Sequence, residues 1–437
     1  LCKNTNSTKN ILVIVIYTPK VTNRIKYVFD FVFSQYFGIE YIITENSTLE
    51  DYADFCCINY SNQTIPNSIS IFQADLLLEN TIKTQRLFVS RESALPVFFQ
   101  TTESYHIRFD IFASIFYLIS RYEEYTIHEP DEHGRFLSKN SILAKPAFSF
   151  LPIVEIWLAY FKNELLKIYP TLPFKKRDFQ FICTFDVDNA FKYKGRDWRK
   201  HLPNFRKIDA WKTIFQNKKD PFDMFDFLLS YTQSNHINTL IFFLLNDDDP
   251  NNSKVSPSSK IYWQLIQRIS KKANQIGIHP SYNSQSRNLI LNEKNVLSSI
   301  IQQPIQISRQ HFLKLKFPDT YRQVLSAQIG MDYSLAYPDV VGFRAGCSHP
   351  FYFFDLEKNE TTDLLVQPSC YMDATFAYYQ NKSLDAIKVE FLFWYHQVQK
   401  INGNFVSIFH NDLLVQPSNY ELFNFIIQHH IVNNSQK

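Results

Sequence analysis

The chain predicts an α/β protein in two parts: a smaller α/β domain over residues 1–170 and a parallel (β/α) barrel over residues 178–437. Three observations carry this reading. Short β-branched and aromatic runs alternate with stretches of helical period along the whole chain. Acids, arginines and histidines recur at the C-terminal ends of those runs, where barrel enzymes place their chemistry. The 437 residues also exceed what one hydrophobic core usually serves, so two domains are expected.

In the first part, residues 11–17 form a β-branched run that reads as a buried strand, residues 21–37 as a helix, and residues 40–43, 56–59 and 69–72 as further short strands. Ile111, Phe112, Ile115, Phe116 and Ile119 fall at helical spacing within residues 109–125, which predicts a helix packed onto the next domain. The loop Asp131-Glu132-His133-Gly134-Arg135-Phe136 offers a binding edge. A second helix over 152–168 leads to Pro170-Thr171-Leu172-Pro173 and the basic Lys175-Lys176-Arg177, which read as the linker. Beyond it, strands are expected at 181–185, 239–245, 275–278, 305–308, 341–343 and 405–409, alternating with helices such as 261–273 and 320–327.

Composition narrows the function classes. With 45 basic and 42 acidic residues the net charge is +3, no signature of a nucleic-acid partner. Eight glycines, none in a phosphate-cradling run, argue against nucleotide binding. The 41 phenylalanines and 25 tyrosines supply large cores and faces on which sugar rings can stack. The six cysteines form no Cys-x-x-Cys pair and no disulfide-rich spacing, which fits a reduced, cytoplasmic compartment. No stretch reaches the roughly 18 consecutive apolar residues of a membrane span. The apolar run near the N-terminus is followed by Pro19 without a small-residue cleavage site, so a first strand is expected rather than a leader.

The chemistry begins at Thr184-Phe185-Asp186-Val187-Asp188, which closes an apolar run. Two acids on alternate residues of an extended chain face the same way, and like charges that close ask for a cation or an arginine between them. Downstream, His279-Pro280-Ser281-Tyr282-Asn283, Ser308-Arg309-Gln310-His311-Phe312 and Val406-Ser407-Ile408-Phe409-His410 each end another apolar stretch. Taken singly, an aspartate after a strand is more often a cap and a histidine more often a hydrogen-bonded core or surface residue. Their joint order points to one site.

This order of motifs resembles the polysaccharide deacetylases, the NodB-homology or family-4 carbohydrate esterases, from about residue 178 onward. Their first motif is a strand ending in Thr/Ser-Phe-Asp-Asp, and the form Phe-Asp-x-Asp resembles the branch with peptidoglycan deacetylases. The resemblance implies a distorted (β/α) barrel, preceded here by the kind of extra domain some bacterial relatives carry. It implies Asp186 as catalytic base and Asp188 with His279 as ligands of a divalent metal, zinc foremost. It further implies Arg309 as partner of the base and His410 as general acid. Two departures stand out. Asn283 occupies the place of the second ligand histidine, and a neutral amide oxygen is a poorer ligand than imidazole for zinc-like metals. His311 replaces the proline of the third motif, two residues after Arg309, where it can supply the lost imidazole or contact substrate.

The chemistry of amide hydrolysis agrees with these roles. A divalent metal polarises the carbonyl and activates water, Asp186 takes the water proton, and His410 protonates the leaving amine. Further candidates are substrate-binding: Arg344 in Gly342-Phe343-Arg344-Ala345-Gly346, with a structural salt bridge as the equal alternative, and Asp332, Tyr333 and Asp373, the last of them also placed to bridge to a histidine and each also readable as a turn residue. Asp247-Asp248-Asp249-Pro250-Asn251-Asn252 lacks the glycine and terminal glutamate of a calcium loop and reads as a solvated turn. The leading expectation is a metal-dependent N-deacetylase acting on amino sugars of a polysaccharide or glycan precursor, with a carbohydrate as partner. The alternatives are a carbohydrate-binding or regulatory module whose site has decayed, and a glycoside hydrolase on a related barrel.

Overall fold

The computed structural model describes residues 13–52, 55–196, 208–216, 218–246, 249–251, 253, 255–284 and 287–434. Strands β1 (Val13–Tyr17), β2 (Glu40–Thr44), β3 (Cys56–Tyr60) and β4 (Ile69–Ile71) form a parallel sheet in the order β2-β1-β3-β4. Residues 11 and 12 of the expected first strand lie outside the described residues. The crossover from β1 to β2 starts at Thr22, whose hydroxyl accepts the Ile25 N–H at 3.1 Å, and runs as an α-helix, Asn23–Phe29, that loosens into a π-helical segment, Asp30–Phe37. It ends at Gly38 in the left-handed region, where a side chain would be strained. A short hairpin, β5 (Ser90–Glu92) with β6 (Leu95–Val97), follows.

The helix expected over 109–125 is shorter. Asp110 caps Ile111–Ile119 by accepting the Ala113 N–H at 2.8 Å, and Arg121 then takes a left-handed conformation that breaks the helix before a 3₁₀ turn, Tyr122–Tyr125. The helix Ile153–Ile168 forms as expected.

The second sheet is built from β7 (Gln180–Val187), β8 (Asn238–Phe243), β9 (Gln275–Ile278), β10 (Ile307–Ser308), β11 (Met331–Asp332), β12 (Phe351–Asp355), β13 (Glu360–Val366), β14 (Tyr371–Met372) and β15 (Asn404–His410). Its order is β12-β13-β11-β10-β9-β8-β7-β15-β14, parallel throughout except for the antiparallel pair β12–β13. The sheet is curled into a half-barrel. Arg309, which follows β10, stands three strands from β7, roughly 14 Å across a flat sheet; yet its guanidinium reaches Thr184 and Asp186 of β7 at 2.7 Å each. The concave side is filled by Ile182, Leu240, Phe242, Ile307, Tyr333 and Val406.

Residues 341–343, expected as a strand, form a buried turn. Gly342 has φ +135 and donates its N–H to Cys370 O at 2.9 Å, and a Cβ at this position would fall only 2.5 Å from the Cβ of Phe150. The backbone passes too close to its neighbour there for a side chain. Strands β11 and β14 are two residues long, and the β12–β13 hairpin carries no chemistry; none of these was expected from sequence.

The two sheets do not have separate cores. Phe354 of β12 packs on Tyr27 and Phe116 at centroid distances of 5.0 and 5.2 Å, and one apolar cluster runs from β1 through the helices to β15. The linker is pinned as well, with Lys175 N–H on Phe37 O at 2.8 Å and Arg177 Nε on Tyr36 O at 3.0 Å. Cys56, Cys57, Cys183, Cys347 and Cys370 are buried free thiols. Among the described residues, no helix is long and apolar enough to cross a membrane.

Candidate functional site

Four strand ends converge on the mouth of the half-barrel. Asp186 lies within β7 and pairs in register with His410, the last residue of β15. His279 follows β9, its N–H continuing the ladder onto Phe243 O at 2.9 Å; Arg309 follows β10 and donates its N–H to Ile278 O at 3.0 Å. His311 opens a 3₁₀ turn, His311–Leu313, two residues later. Parallel pairing thus delivers five chemically active side chains to one end of the sheet.

Asp188, His279 and His311 come together, their ligand atoms all within 4.8 Å of one another. Asp188 Oδ1 is 3.2 Å from His279 Nε2 and 3.5 Å from His311 Nδ1. The far side of each ring fixes its tautomer. His279 Nδ1 lies 2.5 Å from Arg309 O, and His311 Nε2 lies 2.7 Å from Asn251 O, so each of these nitrogens must donate to a carbonyl. The neutral rings then turn bare lone pairs toward Asp188, whose buried Oδ1 has no hydrogen-bond partner among the described residues. Two imidazole lone pairs and a carboxylate oxygen facing inward form a donor set that fits a divalent cation of the zinc type.

The electrostatics agree. Burial would raise the pKa of Asp188, but His311, His279 and His410 hold it well below the usual carboxylate range. Burial lowers His311 to about 4, so its ring is neutral at pH 7. Burial also opposes a charge on His279, yet Asp186 and Asp188 outweigh it and raise its pKa. The pocket therefore favours a positive charge at His279 Nε2, which a metal ion or a proton can supply.

Two further pairs flank the trio. Asp186 Oδ1 accepts from Arg309 Nη1 at 2.7 Å, while Asp186 Oδ2 stands 3.8 Å from His279 Nε2. Thr184 Oγ1 accepts from the same guanidinium nitrogen at 2.7 Å and donates to Ser407 O at 2.6 Å, and Phe242 lies under the guanidinium with 4.4 Å from its carbon to the ring centroid. On the other side, Asp373 Oδ1 is 2.6 Å from His410 Nδ1, and Asp373 Oδ2 accepts the His410 N–H at 2.8 Å. His410 Nε2 points inward, 3.9 Å from Asp188 Oδ2. Burial lowers the pKa of His410, but Asp373 and the two motif aspartates raise it more, to about 10.

Asp186, Asp188, His311 and His410 open into a cavity of about 100 Å³, walled by Phe312, Leu313, Met372, Ala374, Tyr378, Tyr379 and Arg135. A larger hollow of about 450 Å³ adjoins it across Gln310 and His311.

The other expected site residues lie elsewhere. Asn283 is exposed and donates its amide to Asp249 Oδ2 at 2.8 Å, so the turn carries it away from the position of a buried ligand. Arg344 is fully buried and holds Glu124 with both Nε, at 2.8 Å, and Nη2, which makes it a tie between the two parts of the chain rather than a pocket-rim residue. Asp332 is buried beneath the site, accepting from Ser308 Oγ at 2.7 Å and Ser334 N at 2.8 Å. Tyr333 fills the barrel interior and its carbonyl accepts from Arg309 Nε at 3.2 Å. Asp373 acts on His410, not on the cavity. Of the acidic turn, Asp247, Asp248 and Asn252 lie outside the described residues, whereas Asn251 supplies the carbonyl that orients His311. Sequence reasoning gave Thr184 and Asn251 no role; nothing in their residue types marks a hydroxyl or a backbone carbonyl that fold geometry brings to the site.

A model described as a family of unknown function (DUF7033) matches residues 14–170. No curated protein matches the chain. Solved structures similar to it include a probable polysaccharide deacetylase from Pseudomonas aeruginosa PAO1, at 14% identity over 60% of this chain and 90% of that one, with a TM-score of 0.38. An allantoinase is 13% identical over 57% of this chain and 84% of its own, with a TM-score of 0.37. A polysaccharide deacetylase from Bacillus cereus is 11% identical over 58% and 86%, with a TM-score of 0.29. The structural neighbours thus include polysaccharide deacetylases at low identity and partial coverage.

Proposed function

We propose that this protein is a metal-dependent hydrolase that removes N-acetyl groups from amino sugars of a polysaccharide or glycan precursor. The observation that supports it best is the inward-facing trio Asp188, His279 and His311, set between an arginine-held carboxylate and a carboxylate-held imidazole. A divalent cation bound to the trio supplies Lewis acidity toward the acetyl carbonyl and lowers the pKa of water.

The protein's own groups do the rest. Asp186, kept oriented by Arg309 and Thr184, is the base that accepts a proton from the attacking water. His410, protonated at neutral pH through Asp373, delivers a proton to the amide nitrogen so that it leaves as an amine. Arg309 donates to Asp186 and is itself fixed by Tyr333 O, so the base cannot swing away. Residues 1–170 and 178–437 are proposed as two domains of the enzyme that share one apolar core, the first of them contributing to the site through its loop at 131–135.

Acetate release from N-acetylated oligosaccharides, measured with added zinc for the wild type and for Asp188→Ala, tests the reading. Acetate from the wild type alone is the expected result. Cleaved chains without acetate would point to a glycosidase, and binding without any product to a carbohydrate-binding module.

A further inference from the structure

Resting on the deacetylase reading, we infer that the loop from Pro130 to Phe136 closes one side of the site, so that the substrate is the terminal amino sugar of a chain rather than an inner one. The loop is a rigid strap. Pro130 and Phe136 form an antiparallel bridge at its base, and Gly134 takes a left-handed turn with φ +76. Asp131 locks the interior: Oδ1 accepts the His133 and Arg135 N–H groups at 2.9 and 2.8 Å, and Oδ2 accepts Arg135 Nε at 2.7 Å. Phe136 is clamped below by Arg121 and Arg344, whose guanidinium carbons lie 5.9 and 5.7 Å from its ring centroid.

The strap reaches over three of the loops that frame the barrel mouth. His133 Nδ1 lies 2.9 Å from Tyr282 OH, in the loop after β9. Arg135 Nη1 donates to Phe312 O at 3.1 Å, after β10, and Arg135 Nη2 donates to Tyr379 OH at 2.7 Å, after β14. Arg135 is buried, and with Phe312 and Tyr379 it forms a wall of the cavity that holds Asp186, Asp188 and His410. Phe312 itself sits at φ +60, an unfavourable conformation for a bulky residue that the strap's hydrogen bond helps to hold. An inner sugar has glycan on both sides and needs two exits. A pinned guanidinium and two aromatic residues close one of those two directions, which suits a chain end.

The test uses the full chain with zinc and N-acetylchitohexaose labelled with ¹⁸O at its reducing end, the deacetylated positions being mapped by tandem mass spectrometry. In the wild type, loss of acetate from one terminal sugar is expected to exceed loss from inner sugars by at least about tenfold, a selectivity that a rejected substrate geometry readily provides. Arg135→Ala opens the wall and should raise the inner share several-fold, while His133→Ala, which loosens the strap and leaves the guanidinium, should raise it less. Comparable loss from inner and terminal sugars in the wild type overturns the inference and leaves the deacetylase reading intact. A terminal preference unchanged in both variants also overturns it, since some other feature then sets the preference. Acetate from no sugar at all, the monosaccharide included, removes the deacetylase reading and this inference with it.

Discussion

His279 Nε2 and His311 Nδ1 face each other at 3.1 Å, and as neutral rings neither can donate to the other, because the opposite nitrogen of each already donates to a backbone carbonyl. Two lone pairs at hydrogen-bond distance beside a carboxylate are mutually repulsive unless a positive charge lies among them. Where Asn283 turns away toward Asp249, His311 brings a second imidazole beside Asp188. His311 approaches from the next strand end and offers the third donor that the turn after His279 withholds.

Removing that donor should therefore weaken metal binding. His311→Ala is expected to lower zinc affinity by about tenfold or more, as loss of a ligand or its close support does, whereas Asn283→Ala should leave it unchanged. Competition against a chromophoric chelator measures both. Equal affinities in the two variants would remove His311 from the ligand set.

Metal binding should also appear as stability. A ligand bound only by the folded state, at a hundredfold excess over its Kd, adds about 2.7 kcal/mol. Zinc should accordingly raise the thermal midpoint of the wild type, and chelator should reverse the rise. In Asp188→Ala the shift should vanish, because the buried acceptor at the centre of the trio is gone.

Much of this was legible in the chain because parallel strands place chemistry at their ends. The acids at 186 and 188, the histidines at 279 and 410 and the arginine at 309 each follow an apolar run, and that run is what the eye finds. Arg344 was not legible. An arginine flanked by glycines looks the same whether it lines a pocket or pairs internally, and its partner Glu124 lies 220 positions away. Asp332 and Tyr333 read as pocket residues for a related reason: two-residue strands give too little periodicity to say which side of the sheet a neighbouring side chain takes, whereas Asp373 makes the bridge to a histidine that its place in the chain allowed. The strap is a partial case. Its polar, aromatic composition marked it as an edge, but only the curl of the sheet decides that it crosses this mouth.

The correction at Arg344 has its own consequence. Arg121 and Arg344 both bind Glu124, and Arg121 also holds Glu123 at 2.9 Å, so four charges are buried between the two parts of the chain. Breaking such a pair by removing one partner costs about 3–5 kcal/mol. Arg344→Met should lose stability of that order in urea while binding zinc as the wild type does. The pH dependence follows from sign. Burial would raise Glu124, but Arg344 and Arg121 lower it below its unfolded value; its contribution is therefore present above about pH 4.5 and is lost as pH falls through the folded pKa. Arg344→Met should abolish part of this acid sensitivity.

The last prediction concerns His410 and the residue that holds it. Its folded pKa of about 10 lies above the ordinary histidine value of about 6.5, chiefly because Asp373, against the effect of burial, favours the cation. A raised folded pKa stabilises the protein most fully below about pH 6.5, and the contribution is lost as pH rises through about 10. In catalysis the same sign holds. His410 must be protonated to deliver a proton to the leaving nitrogen, so turnover should persist through neutrality and fall on the alkaline side near its pKa. Asp373→Asn removes the charge but keeps a hydrogen-bond partner of similar shape, so the ring stays in position while its proton is held less tightly. The alkaline limb of the turnover profile should then move down by roughly one to three pH units. His410→Asn should instead lower turnover at every pH by roughly a hundredfold or more, with zinc still bound. Profiles of acetate release for the three proteins separate the possibilities: an alkaline limb that stays in place in Asp373→Asn would mean that another group donates the proton.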